Sequence, residues 1–370
     1  MLIKYCGPAH DYSGYGEAVR HDIGALVDAG IEVNTQIPKY CMEISEFGRL
    51  GALATSLIDS PGEYKIKILH TTPNVYQQYM EPGKYHIGRV FWETDRLPAD
   101  FAKNVELMDE IWTGSQFNAD AIRKAGVTKP IYIIPEAIDI IPPAVKGYKT
   151  RADDDFKFYS IFEWTDRKNP DSLLEAFWRE FEHTDHVSLT IKTYLDNFTP
   201  EKKQEIFSSA QRTKRRLGLT RYAPVYFYTN LMDRSQIYRF HVTHDCFVSA
   251  HRGEGWGIPQ MEAMLMGKPI ISTNCGGIHE YLENGFDSLL VSYTMIPLAG
   301  NNRNQQWYTP DQEWAQVDIN HLRTQLRQMI DLPDLAKTLG ENARETVVKK
   351  FSLEAVGMQM AKRLHEIETI

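Results

Sequence analysis

Two hydrophobic periods alternate along this chain. Short apolar runs of strand length are followed by stretches in which apolar residues recur every three or four positions, the spacing of one buried helix face. Leu2–Cys6 is the first run, residues 7–16 form a Gly-rich loop, and Val19, Ile23, Leu26 and Val27 then share a helix face. Further strands are expected at Glu32–Gln36, Lys65–Leu69, Ile87–Trp92, Glu110–Trp112 and Ile131–Ile134, with helices around 99–107 and 116–125. Residues 141–155 are polar, proline-bearing and aperiodic, which predicts an interdomain linker. Alternation resumes with strands near Phe156–Phe162, Ser188–Thr193, Val225–Tyr228, Cys246–Ser249, Pro269–Ser272 and Ser288–Val291, and the tail after Val317 reads as helical, ending in Leu353–Ile367. Strands that alternate with helices predict open, mainly parallel sheets, an α/β fold. A length of 370 residues exceeds what one core usually serves, so two doubly wound domains are expected, 1–148 and 149–351.

Composition narrows the function classes. Hydrophobic residues at 42% and aromatics at 11% exclude a disordered chain. Lys plus Arg (41) against Asp plus Glu (49) leaves a net charge of -8, which argues against a surface that coats nucleic acid. Cys6, Cys41, Cys246 and Cys275 have no paired metal spacing, and Cys6 and Cys246 fall in apolar strands, so a reduced, cytoplasmic setting is expected. A strand beginning at Leu2 leaves no room for a signal core, and no apolar run approaches the ~18 residues of a membrane span. A soluble protein follows, with peripheral membrane contact left open. Asp153-Asp154-Asp155 reads as a solvated charge run rather than a metal site, and no repeat of 20 to 50 residues is evident.

The densest chemistry lies in Gly253-Glu254-Gly255-Trp256-Gly257-Ile258-Pro259-Gln260-Met261-Glu262-Ala263-Met264. It follows a short apolar strand, and Pro259 suits the first turn of a helix running to about Met266. Gly255 and Gly257 let the backbone turn and approach a ligand, and the unpaired N–H groups of a helix start suit a diphosphate. Glu254 precedes the helix and Glu262 lies within it, so one carboxylate faces the sugar side of such a ligand and the other the ribose, where a carboxylate accepts two hydroxyl hydrogen bonds. The plainer alternative is a Gly turn feeding an amphipathic helix with both glutamates solvated.

This run resembles the E-G-[FW]-G-[ILFV]-P-x-x-E-A-M signature of glycosyltransferase family 4, the retaining nucleotide-sugar transferases of GT-B fold, and every position is present. Gly267–Gly277, Glu110–Asp120 and Phe351–Val356 are similar to that family's next strand and loop, its last crossover in the first domain and its closing-helix start. The match is poorest over Tyr293–Gln316, which resembles an extended loop of one branch. The resemblance implies two Rossmann-like domains facing a cleft, the last helix (352–370) crossing back onto the acceptor-binding first domain, and a donor site in the second.

Carried over residue by residue, it implies Glu254 at the donor sugar, Glu262 at the ribose, Arg167 and Lys168 at the diphosphate, Lys192 as a further cation, and, with Gly255 letting the backbone approach the donor, backbone N–H groups of Trp256, Gly257, Ile258, Gly276 and Gly277 toward the phosphates. The Gly-Arg pair common in relatives is replaced here by Ile161-Phe162-Glu163. Ser13-Gly14-Tyr15-Gly16 resembles the Gly-rich loop approaching donor and acceptor. Glu93, at a strand's carboxyl end, stands where relatives keep an acceptor-side polar group, although pairing with Arg96 is an alternative. His70 is a cleft candidate or a core histidine, and Arg212–Arg216 with Lys202-Lys203 a basic helix face, usually just solvated. The reading is a hexosyltransferase using a UDP or GDP sugar, with no cofactor or metal, an unknown acceptor (glycan, lipid or modified base) and an unknown oligomeric state. Alternatives are transfer to modified nucleic-acid bases, a GT-B sugar-nucleotide epimerase, a glycoside hydrolase using the two glutamates, or a binding module without chemistry.

Overall fold

The computed structural model describes residues 1–39, 47–141, 144–149, 154–298 and 306–369. Twelve of its strands form two six-stranded parallel sheets. The first comprises β1 (Leu2–Cys6), β2 (Glu32–Gln36), β3 (Ile66–Leu69), β4 (Tyr85–Arg89), β5 (Glu110–Thr113) and β6 (Ile131–Ile133), in the order β2-β1-β3-β4-β5-β6. The second comprises β7 (Phe156–Glu163), β8 (Val187–Tyr194), β9 (Val225–Tyr228), β10 (Cys246–Ser249), β11 (Ile270–Thr273) and β12 (Ser288–Val291), in the order β12-β11-β10-β7-β8-β9. Every residue of β3, β5, β11 and β12 is buried, as strands covered by helices on both faces require.

The strand order decides where a ligand can sit. In the second sheet the order reverses between β7 and β10, and such a switch point opens a crevice beyond the carboxyl ends of the strands. From there β7 leads into the turn Asp166–Lys168 and β10 into Gly253–Gly257. In the first sheet the corresponding reversal lies between β1 and β3, which lead into residues 7–16 and to His70.

The closing helix Leu353–Glu368 packs on the Gly14–Asp28 helix, and its Leu353, Val356, Met360, Leu364 and Ile367 join the core of the first sheet. Gly357 lets the two helices touch, since a Cβ there would lie 2.1 Å from the Ala25 carbonyl oxygen. Tyr293–Gln316 is not the extended loop expected. It contains an antiparallel pair, β13 (Tyr293–Pro297) and β14 (Glu313–Val317), with Tyr293 opposite Val317. Trp314, Ala315 and Val317 are buried, a short signal that the Asn- and Gln-rich stretch before it overshadows in the sequence. The linker reading falls partly outside the described residues, as do Cys41 and Asp153; Cys6, Cys246 and Cys275 are buried and form no disulfide.

Candidate functional site

Close backbone packing explains Gly253 and the two glycines, Gly276 and Gly277, that lie against the Gly253–Gly257 loop. A Cβ on Gly253 would stand 2.1 Å from the Glu93 carbonyl oxygen of the other half. One on Gly277 would stand 2.0 Å from the Gly255 oxygen, and one on Gly276, at φ 100°, 2.4 Å from that of Glu254. Gly257 has φ 106° and begins the helix Ile258–Leu265, with Pro259 in its first turn. Asn118 ties the loop to the first half, accepting from the Trp92 N–H at 2.9 Å and donating to the Gly255 oxygen at 3.0 Å.

Glu254 is 8% exposed and ion-paired to Lys168, with Arg167 Nη1 at 3.8 Å from its second oxygen. Burial alone would raise this carboxyl, but the two cations outweigh it and hold the group down at about 2. Arg167 also donates to the Gly253 carbonyl oxygen at 3.0 Å and reaches Glu93 Oε1 at 3.7 Å. Glu93 is therefore paired across the cleft and not with Arg96, which faces Asp95 and Asp311. Its second oxygen accepts from the Tyr308 hydroxyl at 3.3 Å.

The second glutamate of the motif is also occupied. Glu262, 2% exposed, is ion-paired to Arg234 and faces His241 Nε2 at 3.3 Å. Arg234 reaches Glu17 Oε1 at 3.2 Å on the Gly14–Asp28 helix. Each motif glutamate thus holds an arginine that also pairs with a glutamate of the first half.

Other expected residues take different places. Trp256 is a core side chain, its indole N–H toward Met261 Sδ at 2.6 Å and its ring against Tyr281 and Phe351, so only its backbone faces the loop. Ile258 is likewise buried. The Gly277 N–H is not free for a phosphate, because it donates to the Glu254 backbone carbonyl oxygen at 2.9 Å. Lys192 stands on β8 beneath Tyr194 and Phe198, 5.8 and 5.3 Å from the ring centres, and makes no ion pair with Glu254 or Glu262; burial lowers it to about 8. Ser13 caps the Gly14–Asp28 helix, accepting from the Gly16 N–H at 3.4 Å, and Gly16 abuts the Asp11 oxygen. Tyr15 lies edge-on to His70, while a Cβ on Gly14 would meet nothing within 4 Å. His70 is a fully buried histidine whose Nδ1 is bonded to the Tyr5 hydroxyl at 2.7 Å. On the basic helix, Arg216 pairs with Glu175 and Lys214 lies over Trp178, a structural use.

Sequence reasoning missed Arg234, Glu17, Tyr308 and Glu136. Glu136 is 4% exposed with Oε2 unbonded, and burial pushes it up to about 8, with repulsion from Asp22 and Glu254 opposing the pull of Arg89. Only Arg234 carried a local sign, since Asp233 and Gln236 form a capping box at the start of its helix. Among the described residues no three His, Cys, Asp or Glu side chains converge as a metal ligand set.

Comparison with solved structures identifies the fold. The chain is similar to sucrose-phosphate synthase of Thermosynechococcus elongatus, with a TM-score of 0.72 at 17% identity over 100% of this chain and 99% of that one. It is also similar to HepE of Anabaena, solved in complex with UDP and glucose, with a TM-score of 0.68 at 16% identity over 99% of this chain and 100% of that one. The fold is GT-B. Within the GT-B frame, residues 156–297 match the family described as Glycosyl transferases group 1, and these residues contain the Asp166–Lys168 turn and the Gly253–Met264 run. An uncharacterized glycosyltransferase of Methanocaldococcus jannaschii is 32% identical over 116 residues, 31% of this chain and 26% of that protein. The chain therefore aligns with only about a quarter of that relative's length. No described helix of this GT-B chain is long and apolar enough to cross a membrane.

Proposed function

We propose that the chain is a retaining glycosyltransferase that moves a hexose from a nucleoside diphosphate sugar, of UDP or GDP type, to an acceptor hydroxyl on a glycan, lipid or modified base. The observation that carries this reading is the convergence of Arg167, Lys168 and Glu254 beside the helix start at Gly257. The helix N–H groups and the two cations stand where the leaving diphosphate gathers negative charge. Glu254 faces the sugar as positive charge develops on its ring, Glu262 accepts from the ribose hydroxyls, and Glu93 orients the acceptor. The bond from the anomeric carbon to the diphosphate breaks while the acceptor oxygen bonds to that carbon on the same face. The acceptor proton passes to the departing phosphate. Residues 1–148 with 352–370 serve the acceptor and 149–351 the donor. The enzyme works in the cytoplasm, free or at a membrane surface, and needs no divalent ion.

A panel of UDP and GDP sugars tests this by thermal shift, since a ligand at 100 times its Kd adds about 2.7 kcal/mol to stability. With the donor found, Glu254→Gln is the decisive variant. It releases Lys168 from its ion pair, so nucleotide affinity should hold or rise, while turnover falls about a hundredfold because charge on the sugar is stabilised only in the transition state. Turnover should survive EDTA. Unchanged turnover in Glu254→Gln removes that residue from the mechanism, and loss on chelation with recovery by Mg²⁺ overturns the metal-free scheme.

A further inference from the structure

The arm built on β13 and β14 crosses from the second half to the first and ends at Glu93. Its hold there is extensive. The Asp95 N–H donates to the Glu313 oxygen at 3.1 Å, and the Glu313 N–H to Asp95 Oδ1 at 2.7 Å. Gln312, with no exposed surface, accepts from the Thr94 hydroxyl at 2.9 Å. Trp307 packs on Phe101. Tyr308 stacks on Trp92 with ring centres 5.4 Å apart and planes at 23°, and Trp314 lies 6.4 Å away. A ring fixed in this way has its hydroxyl position set by the arm, and that hydroxyl donates to Glu93 Oε2 at 3.3 Å. Glu93 Oε1 faces Arg167 at 3.7 Å. Both oxygens of a first-half carboxylate are thus oriented by the second half. Each keeps a lone pair for an incoming hydroxyl, and the side chain is still 23% exposed.

We propose that Tyr308 is a positioning residue that aims the Glu93 carboxylate at the acceptor hydroxyl, so that the arm determines acceptor geometry. The assignment rests on the glycosyl-transfer reading above and deepens it. Tyr308 lies beyond the 156–297 family match, so the matched region alone does not complete the site.

Tyr308→Phe keeps the ring stack and removes only the hydroxyl. The assay is nucleotide release from UDP-glucose, UDP-N-acetylglucosamine or GDP-mannose, whichever the wild type turns over, with water as acceptor and nucleotide binding measured separately. Tyr308→Phe should melt and bind nucleotide like the wild type but lose about tenfold or more in kcat, the worth of a hydrogen bond to a charged group. Glu93→Gln, which leaves the stack untouched, should lose at least as much. The double variant should be no slower than Glu93→Gln, because residues acting as one unit are non-additive. Unchanged kcat in Tyr308→Phe, or losses that multiply in the double variant, overturns the assignment while leaving the donor site standing. A wild type that binds and turns over no nucleotide sugar overturns the underlying reading itself.

Discussion

At the residue scale, Glu136 shows how a buried carboxyl records its surroundings. Its Oε2 has no partner, and burial with Asp22 and Glu254 nearby keeps it protonated up to about pH 8, against an ordinary value of 4.5. For an acid raised in the folded state, the native protein holds a proton that the unfolded chain gives up above pH 4.5. Stability from this group is therefore full below that pH and is lost as pH rises toward 8. Glu136→Gln removes the titration while keeping the shape. Wild type and variant should have similar urea midpoints at pH 4, and the variant should gain progressively to pH 8, by a few kcal/mol at about 1.4 kcal/mol per unit of pKa. A gap between the two that is the same at both pH values would contradict the buried, protonated state. Nothing in the sequence marks Glu136, because its character comes from Asp22, Arg89 and Glu254, which only the fold brings near it.

At the element scale, what was legible tracks how local its cause is. β1, β2, β9, β10 and β12 have the expected bounds; β10 and β12, central or covered, write their burial directly into apolar runs, whereas β2 and β9 lie at sheet edges and are partly exposed. Expected and observed ends of β4 differ, since Val90 and Trp92 pack into one core and Phe91 against another beyond the strand. The motif singles out Glu254 and Glu262, whereas their partner Arg234 and the Glu93 partner Tyr308 arrive from a separate helix and from the arm, and Lys192 lies over Tyr194 and Phe198. The loop after β10 gives an element-level test. Gly253→Ala would push a Cβ to 2.1 Å from the Glu93 oxygen, a backbone atom that cannot rotate away. Overpacking of this kind costs about 1–3 kcal/mol. The variant should melt lower and show a larger radius of gyration in solution scattering as the two halves part. Gly14→Ala, where nothing lies within 4 Å, should match the wild type in both. Equal melting of Gly253→Ala and wild type would show that the loop yields without separating the halves.

At the scale of the whole molecule, the two halves are joined in several ways. Two joints across the cleft are ionic, where Arg167 bridges Glu93 and Glu254 and Arg234 bridges Glu17 and Glu262, and the arm adds hydrogen-bonded and aromatic contacts to Thr94, Asp95 and Trp92. On the proposed reading, a diphosphate beside Gly257 would compete for Arg167, the side chain that also spans the halves. Behind the cleft the joint is covalent and apolar, because the chain passes from the helix Pro333–Phe351 into Leu353–Glu368, which completes the first core. Leu353, Val356, Met360, Leu364 and Ile367 are buried there. At roughly 1.5–3 kcal/mol for each large apolar side chain, the five are worth roughly 7–15 kcal/mol, comparable to the roughly 5–15 kcal/mol that holds a whole domain folded. Truncation after Phe351 should therefore unfold the first sheet, although its own residues all lie before position 134. The second sheet takes nothing from this helix in its main core and should survive. Hydrogen exchange checks this directly: amides of β1 to β6 should lose protection while those of β7 to β12 keep it. Full protection of β1 to β6 in the shortened chain would mean that the first core stands without its last helix, and the crossover would then be a tether between the halves instead of a structural part of the first.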